Sequence, residues 1–211
     1  GRAGAVMPLL SHWTAFTPNV DTTELSNDGH PKLGGFLPPV QLERRMWAGG
    51  TLTFHAPLHI GARLTRHSEI KSITEKEGAN GPMLFVSLAH AIFEDDRLCV
   101  EETQDIVYLN IPQVFVPPKP KPVPSTPDMI EAVAVTEPLL FRFSAITFNA
   151  HRIHYDLPYA KSVEKYPGLV VHGPLQAMLL LRAAIRHSGR DVRQFQFRGI
   201  HPMFHFDDMH L

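Results

Sequence analysis

Residues 148–156 read FNAHRIHYD, which puts one amide, two imidazoles, a guanidinium, a phenol and a carboxylate within nine positions. Imidazole titrates near neutrality, so His151 or His154 can act as general base and acid at physiological pH. Residues 166–173 (YPGLVVHG) then run straight into an apolar stretch that reads as a helix. A helix start presents free N–H groups and the positive end of the macrodipole. A thioester carbonyl seated on the Gly173 amide would be stabilised as it becomes an enolate oxyanion, and glycine lets it approach closely. A histidine loop beside a helix N-terminus can move protons on and off the carbon next to a thioester. The competing reading is a polar loop with solvated side chains and a glycine packed at a helix start.

Other residues are candidates for binding. Arg44 and Arg45 could clamp a carboxylate or phosphate. Arg152, Tyr155 and His172 are candidates for contacting substrate. Asp156, two residues before Pro158, suits the N-cap of a short helix better than an acid/base role. The chain has 13 histidines, and His151, His154, His201, His205 and His210 invite a metal reading. No paired carboxylates accompany them in a ligand-like pattern, and no metal is expected. Asp28-Gly29-His30-Pro31 reads as a tight, specifically shaped loop. It is not a phosphate-binding motif, since no Gly-Lys-Ser/Thr follows it.

Several elements must position these groups. Residues 45–54, 62–75, 83–93 and 98–108 read as strands, separated by turn chemistry at Pro57/Gly61, at residues 78–82 and at residues 94–96. Leu84, Val86, Leu88 and His90 alternate in facing with Phe85, Ser87, Ala89 and Ala91, which fits an antiparallel meander with one face better covered. Residues 111–138 hold eight of the chain's 19 prolines and read as an extended linker. Residues 139–147 (LLFRFSAIT) read as a strand. Residues 174–185 (PLQAMLLLRAAI) read as a helix so apolar that it should be buried on most sides, started by Pro174 and stopped at Ser188-Gly189. Residues 194–200 alternate as a returning strand. This divides the chain into a first half at 1–110, whose helix would have to come from upstream, the linker at 111–138, and a second half at 139–211 that carries the histidine motif.

With 211 residues, 44% apolar and 19% charged, the composition excludes collagen-like, disordered and coiled-coil classes. A formal charge of -1 leaves no excess positive field for non-specific binding of nucleic acid or an anionic membrane. No stretch approaches the ~20 apolar residues of a membrane span. Cys99 is the single cysteine, so neither an internal disulfide nor a cysteine-based metal site is possible.

HRIHYDLPYAKSVEKYPGLVVHG (151–173) resembles the hydratase signature of the MaoC-like (R)-enoyl-CoA hydratase and dehydratase family. In that register His154 matches the family's catalytic His, Asp156 the Asp after it, Ala160 the Ala and His172-Gly173 the His-Gly helix start. Asn149 stands where the family has its catalytic Asp, and His151-Arg152 replace Asn-Pro. DGHPKLGGFLPPV (28–40), RRMWAGG (44–50) and QDIVY (104–108) are similar to a narrower branch that contains itaconyl-CoA and mesaconyl-CoA hydratases and mitochondrial type 2 3-hydroxyacyl-thioester dehydratases.

The resemblance implies an α+β double hot-dog fold, a long helix wrapped by antiparallel sheet in each half, incomplete at both ends of this chain. It implies reversible syn hydration of an α,β-unsaturated acyl-CoA, a branched dicarboxylic acyl group being favoured. His154, with His151, would act as base, Asn149 would hold the water and Gly173 would form the oxyanion hole. The alternatives are a 3-hydroxyacyl-thioester dehydratase of fatty-acid synthesis and, from another class, a non-catalytic acyl-thioester-binding protein. No cofactor is expected beyond the thioester substrate on CoA or acyl-carrier protein. Neither a nucleic-acid nor a membrane partner is expected, and an unfinished sheet suggests a homodimer. The location would be cytoplasmic in a bacterium and mitochondrial in a eukaryote.

Overall fold

The alternating segments of the first half pair as a meander. In the computed structural model, which describes residues 1–78, 81–123 and 125–211, β1 (Arg44–Phe54), β2 (Leu64–Gly78), β3 (Gly81–Glu94) and β4 (Arg97–Leu109) are all antiparallel. The turn expected at residues 78–82 lies partly outside the described residues, as does Pro124 of the proline-rich stretch. Val86, Leu88, His90 and Ile92 of β3 are buried while their alternates are half-buried, so one face of the sheet is the better covered. Two 3-10 turns, Ser11–Thr14 and Thr22–Glu24, precede the sheet.

Residues 139–147 are not a strand. They lie in α1 (Glu137–Thr147), capped by the Thr136 side chain, with Pro138 in the first turn. Leu140, Phe143 and Ser144 are buried, a spacing of three and four that follows helical rather than strand periodicity. A nine-residue run with so few polar residues satisfies either period, and the Thr-Glu-Pro start decides it. Phe148 closes the helix in the left-handed conformation, φ 53°, and so turns the chain into the histidine loop.

The returning strand β6 (Gln194–Arg198) does not build a separate sheet. It pairs with β1 to give one five-stranded sheet in the order β2-β3-β4-β1-β6. A short pair, β5 (Ala132–Val133) with β7 (Met209–His210), stands apart from it. The apolar helix is α3 (Gly173–Ser188), which ends at Gly189. Leu181, with Met178 and Ile185, packs on Leu52, Phe54, Phe195 and Phe197 of β1 and β6. Leu175 joins Leu140 and Phe143 of α1 in a second cluster. The helix is covered on several sides, at Leu175, Ala177, Leu181 and Ala183, while Leu180 is exposed. The two clusters hold the α3 N-terminus beside the end of α1 and the start of β1.

Candidate active site

The histidine loop is strapped in place from several directions. The Asn149 N–H donates to Ser144 O, the His154 N–H to His151 O and the Val170 N–H to Ile153 O. A 3-10 turn, Arg152–His154, carries the motif's centre, and α2 (Leu157–Ser162) follows it. Asp156 caps α2 by accepting the Tyr159 N–H at 3.0 Å, the role its sequence position indicated.

His154 is buried, and its Nδ1 lies 2.7 Å from Val170 O. A carbonyl can only accept, so Nδ1 carries the proton and Nε2 keeps its lone pair. Burial, then the neighbouring His172 and His151, pushes the His154 pKa well below the usual imidazole value. His154 is therefore neutral near pH 7, the state a general base requires. Its ring stacks on His172, with centroids 3.6 Å apart and planes 18° apart. His172 Nε2 lies 2.9 Å from Ser144 Oγ. Burial and the nearby His151 lower the His172 pKa to about 3.

His172 immediately precedes Gly173, so the stack sets the base beside the α3 N-terminus. A Cβ at Gly173 would meet only Trp47 O, at 3.8 Å, so the space beside its Cα is open. It is one of the N–H groups at a helix start that have no intrahelical acceptor.

His151 is also buried, and its Nε2 has no hydrogen-bond partner. Glu164 Oε1 stands 3.7 Å away, too far for a hydrogen bond. Glu164 itself is engaged by Arg44, whose Nε donates to Oε2 at 2.7 Å and whose Nη2 donates to the Glu164 carbonyl. Arg44 is 5% exposed and lies over the Tyr166 ring. Its expected role as a substrate clamp is corrected accordingly: Arg44 holds a buried carboxylate. Burial would raise the Glu164 pKa, but His151 and Arg44 outweigh it and the pKa is lowered.

Three more candidates are engaged inside the protein. Asn149 Oδ1 accepts the His151 N–H at 3.0 Å, so any hold on water falls to its Nδ2. Arg152 Nε and Nη2 donate to Asp156 Oδ2, Nη1 donates to Asn27 O, and the guanidinium covers the Tyr159 ring. It braces two loops rather than offering a free charge to phosphate. The Tyr155 hydroxyl donates to Ala150 O at 2.9 Å and ties the loop to itself. Arg45 is different. It pairs with Tyr108 across β1 and β4, and its charge acts on Tyr108 and on His30. Tyr108 Oη is buried with no partner.

Sequence reasoning missed Ser144, Glu164, Asp28 and His30 as parts of the site. The Asp28-Gly29-His30 turn was visible as a shaped loop, but its docking on residues 150–152 is a long-range contact that no local pattern announces. Asp28, His30 and His151 each offer one donor atom within 4.8 Å of the others. His30 Nδ1 already lies 2.7 Å from Asp28 Oδ2, so the group is built as a hydrogen-bonded dyad against an imidazole. His205 receives the Leu169 N–H at Nδ1 and lies outside this cluster.

The chain is similar to known proteins over most of its length. The chain is 50% identical over 204 residues to the mesaconyl-C(4)-CoA hydratase of Chloroflexus aurantiacus, covering 96% of this chain and 72% of that protein. It is 29% identical over 223 residues to the mitochondrial hydroxyacyl-thioester dehydratase type 2 of Schizosaccharomyces pombe, covering 92% and 73%. A solved MaoC-like dehydratase superposes with a TM-score of 0.67 at 17% identity, covering 97% of this chain and 71% of that one. A Mycobacterium tuberculosis protein described as a double hot-dog superposes with a TM-score of 0.55 at 15% identity, covering 81% and 62%. The fold is α+β double hot-dog. Residues 10–205 match the hydroxyacyl-thioester dehydratase type 2 family, and the chain belongs to it.

Proposed function

We propose that the protein is a hydro-lyase that adds water reversibly across the α,β double bond of an acyl-CoA thioester, with mesaconyl-C(4)-CoA or a similar branched dicarboxylic acyl-CoA as substrate. The observation that carries the reading is the fixed tautomer of His154, whose Nδ1–H is held by Val170 O beside the α3 N-terminus. In hydration, His154 Nε2 takes a proton from water as the water oxygen bonds to Cβ. The π electrons move through Cα to the thioester oxygen, where the Gly173 amide and the helix dipole meet the developing charge. The imidazolium then returns the proton to Cα on the same face, which regenerates neutral His154 and gives net syn addition.

A dicarboxylic acyl group is supported by the 50% identical hydratase and by Arg45, which lies beside the Tyr108 hydroxyl and has no carboxylate partner among the described residues. The second reading, dehydration of 3-hydroxyacyl thioesters in fatty-acid synthesis, draws on the more distant dehydratase and requires no basic group near the acyl chain. No helix among the described residues is long and apolar enough to cross a membrane. A homodimer belongs to the same reading, since β2 and β6 are the sheet's edges and an uncovered edge is a template for pairing. A cytoplasmic location in a bacterial cell also belongs to it.

The test is absorbance in the enoyl-thioester band with mesaconyl-C(4)-CoA, itaconyl-CoA and crotonyl-CoA, beside His154→Ala. Loss of the band with a dicarboxylic substrate, slowed about 100-fold or more in the variant, is the expected result. Binding without turnover of any of the three would support a non-catalytic binder instead.

A further inference from the structure

The family position for a catalytic carboxylate holds Asn149, yet the carboxylate of Asp28 reaches the histidine loop from a distant part of the sequence. The loop 27–30 is docked on the histidine loop by the Arg152 N–H donating to Asp28 O at 2.8 Å and Arg152 Nη1 donating to Asn27 O at 3.0 Å. Gly29 makes the docking possible: its φ is +92°, and a Cβ there would fall 1.8 Å from Ala150 O. Asp28 grips His30 twice, accepting the His30 N–H at Oδ1 (3.0 Å) and the ring Nδ1–H at Oδ2 (2.7 Å). The His30 ring lies 4.1 Å from that of His151, which lies 5.4 Å from that of His154. Four imidazoles thus run in contact, His30, His151, His154 and His172, with Asp28 anchoring the outer end.

The charges that face this row are few. Asp28 comes from the docked loop, Arg44 and Arg45 from β1, Arg152 and Asp156 from the histidine loop, and Glu164 from the segment after α2. Glu164 is paired with Arg44 and Asp156 with Arg152. Asp28 is the carboxylate whose hydrogen bonds go to an imidazole of the row rather than to an arginine.

We propose that the Asp28–His30 dyad takes the place of the carboxylate missing at residue 149, holding His151 in register and offsetting the positive charge that His154 acquires when it takes the proton from water. Asp28 and His30 are positioning residues; His154 touches the reacting atoms. This rests on the hydration reading, and two measurements on Asp28→Asn separate the two claims. Asparagine keeps the Oδ1 acceptor and the backbone contacts, so the fold is retained while the charge is lost. With mesaconyl-C(4)-CoA, kcat should fall about tenfold or more with KM within about threefold. The acid limb of the kcat profile should move to lower pH, because losing an anion makes the imidazoles harder to protonate. Asp28→Glu should recover part of the rate, and a chelator should leave the parent rate unchanged. In 15N-histidine NMR, Asp28→Asn should change the His30 tautomer and move the His151 ring resonances.

A kcat within about threefold of the parent, or a rate that depends on added metal, would overturn the proposal. If the parent turns over no enoyl thioester, hydration fails and NMR alone decides the dyad: moved His151 resonances support it, unmoved ones overturn it.

Discussion

One hydrogen bond, from His154 Nδ1–H to Val170 O, fixes which nitrogen can act as base, and one stacked ring, His172, fixes where that nitrogen sits relative to Gly173. Burial keeps both imidazoles neutral near pH 7. Gly173 is testable without disturbing the fold. An added methyl would meet no atom closer than Trp47 O at 3.8 Å, and alanine suits a helix better than glycine. Gly173→Ala should therefore unfold at the same or a higher urea concentration, while kcat/KM falls about tenfold because the methyl occupies the thioester's approach. Unchanged kcat/KM would remove Gly173 from the oxyanion hole. At this scale the sequence was informative where chemistry is local. The spacing within FNAHRIHYD and the His-Gly before Pro174 located the buried imidazoles and the helix start. It was silent on Glu164 and Ser144, whose importance comes from burial beside Arg44 and His172 rather than from any neighbour in the chain.

At the scale of elements, the site is a junction of α1, the histidine loop, the α3 start and the loop 27–30. The antiparallel strands and the long helix were legible from their periodicity. Residues 139–147 were not, because an apolar nine-residue run fits both periods and its Thr136 cap and Pro138 lie at its edge. The loop 27–30 was legible only as a turn, since what it docks on lies more than a hundred residues away. Its lock depends on backbone contact at Gly29, so Gly29→Ala should lower stability by about 2 kcal/mol or more, read as a lower urea midpoint. An unchanged midpoint would mean that the two loops are not held together as described.

For the whole molecule, the single five-stranded sheet joins β6 to β1, so the start of β1 and the second-half helix are fixed against one another. That joint places Arg44 and Arg45, from the first half of the sequence, beside His151 and His30. The cluster therefore draws on both halves: Asp28, His30, Arg44 and Arg45 come from the first, and His151, His154 and Glu164 from the second. Membership in the hydroxyacyl-thioester dehydratase type 2 family and the 50% identical hydratase agree with a reaction at a thioester. The most direct test is to let the protein react with mesaconyl-C(4)-CoA in D2O and examine the product by NMR. Syn hydration through His154 gives a hydroxyl at Cβ and one solvent deuteron at Cα on the same face, with the thioester intact. An anti product, a cleaved thioester or an unreacted substrate would contradict it.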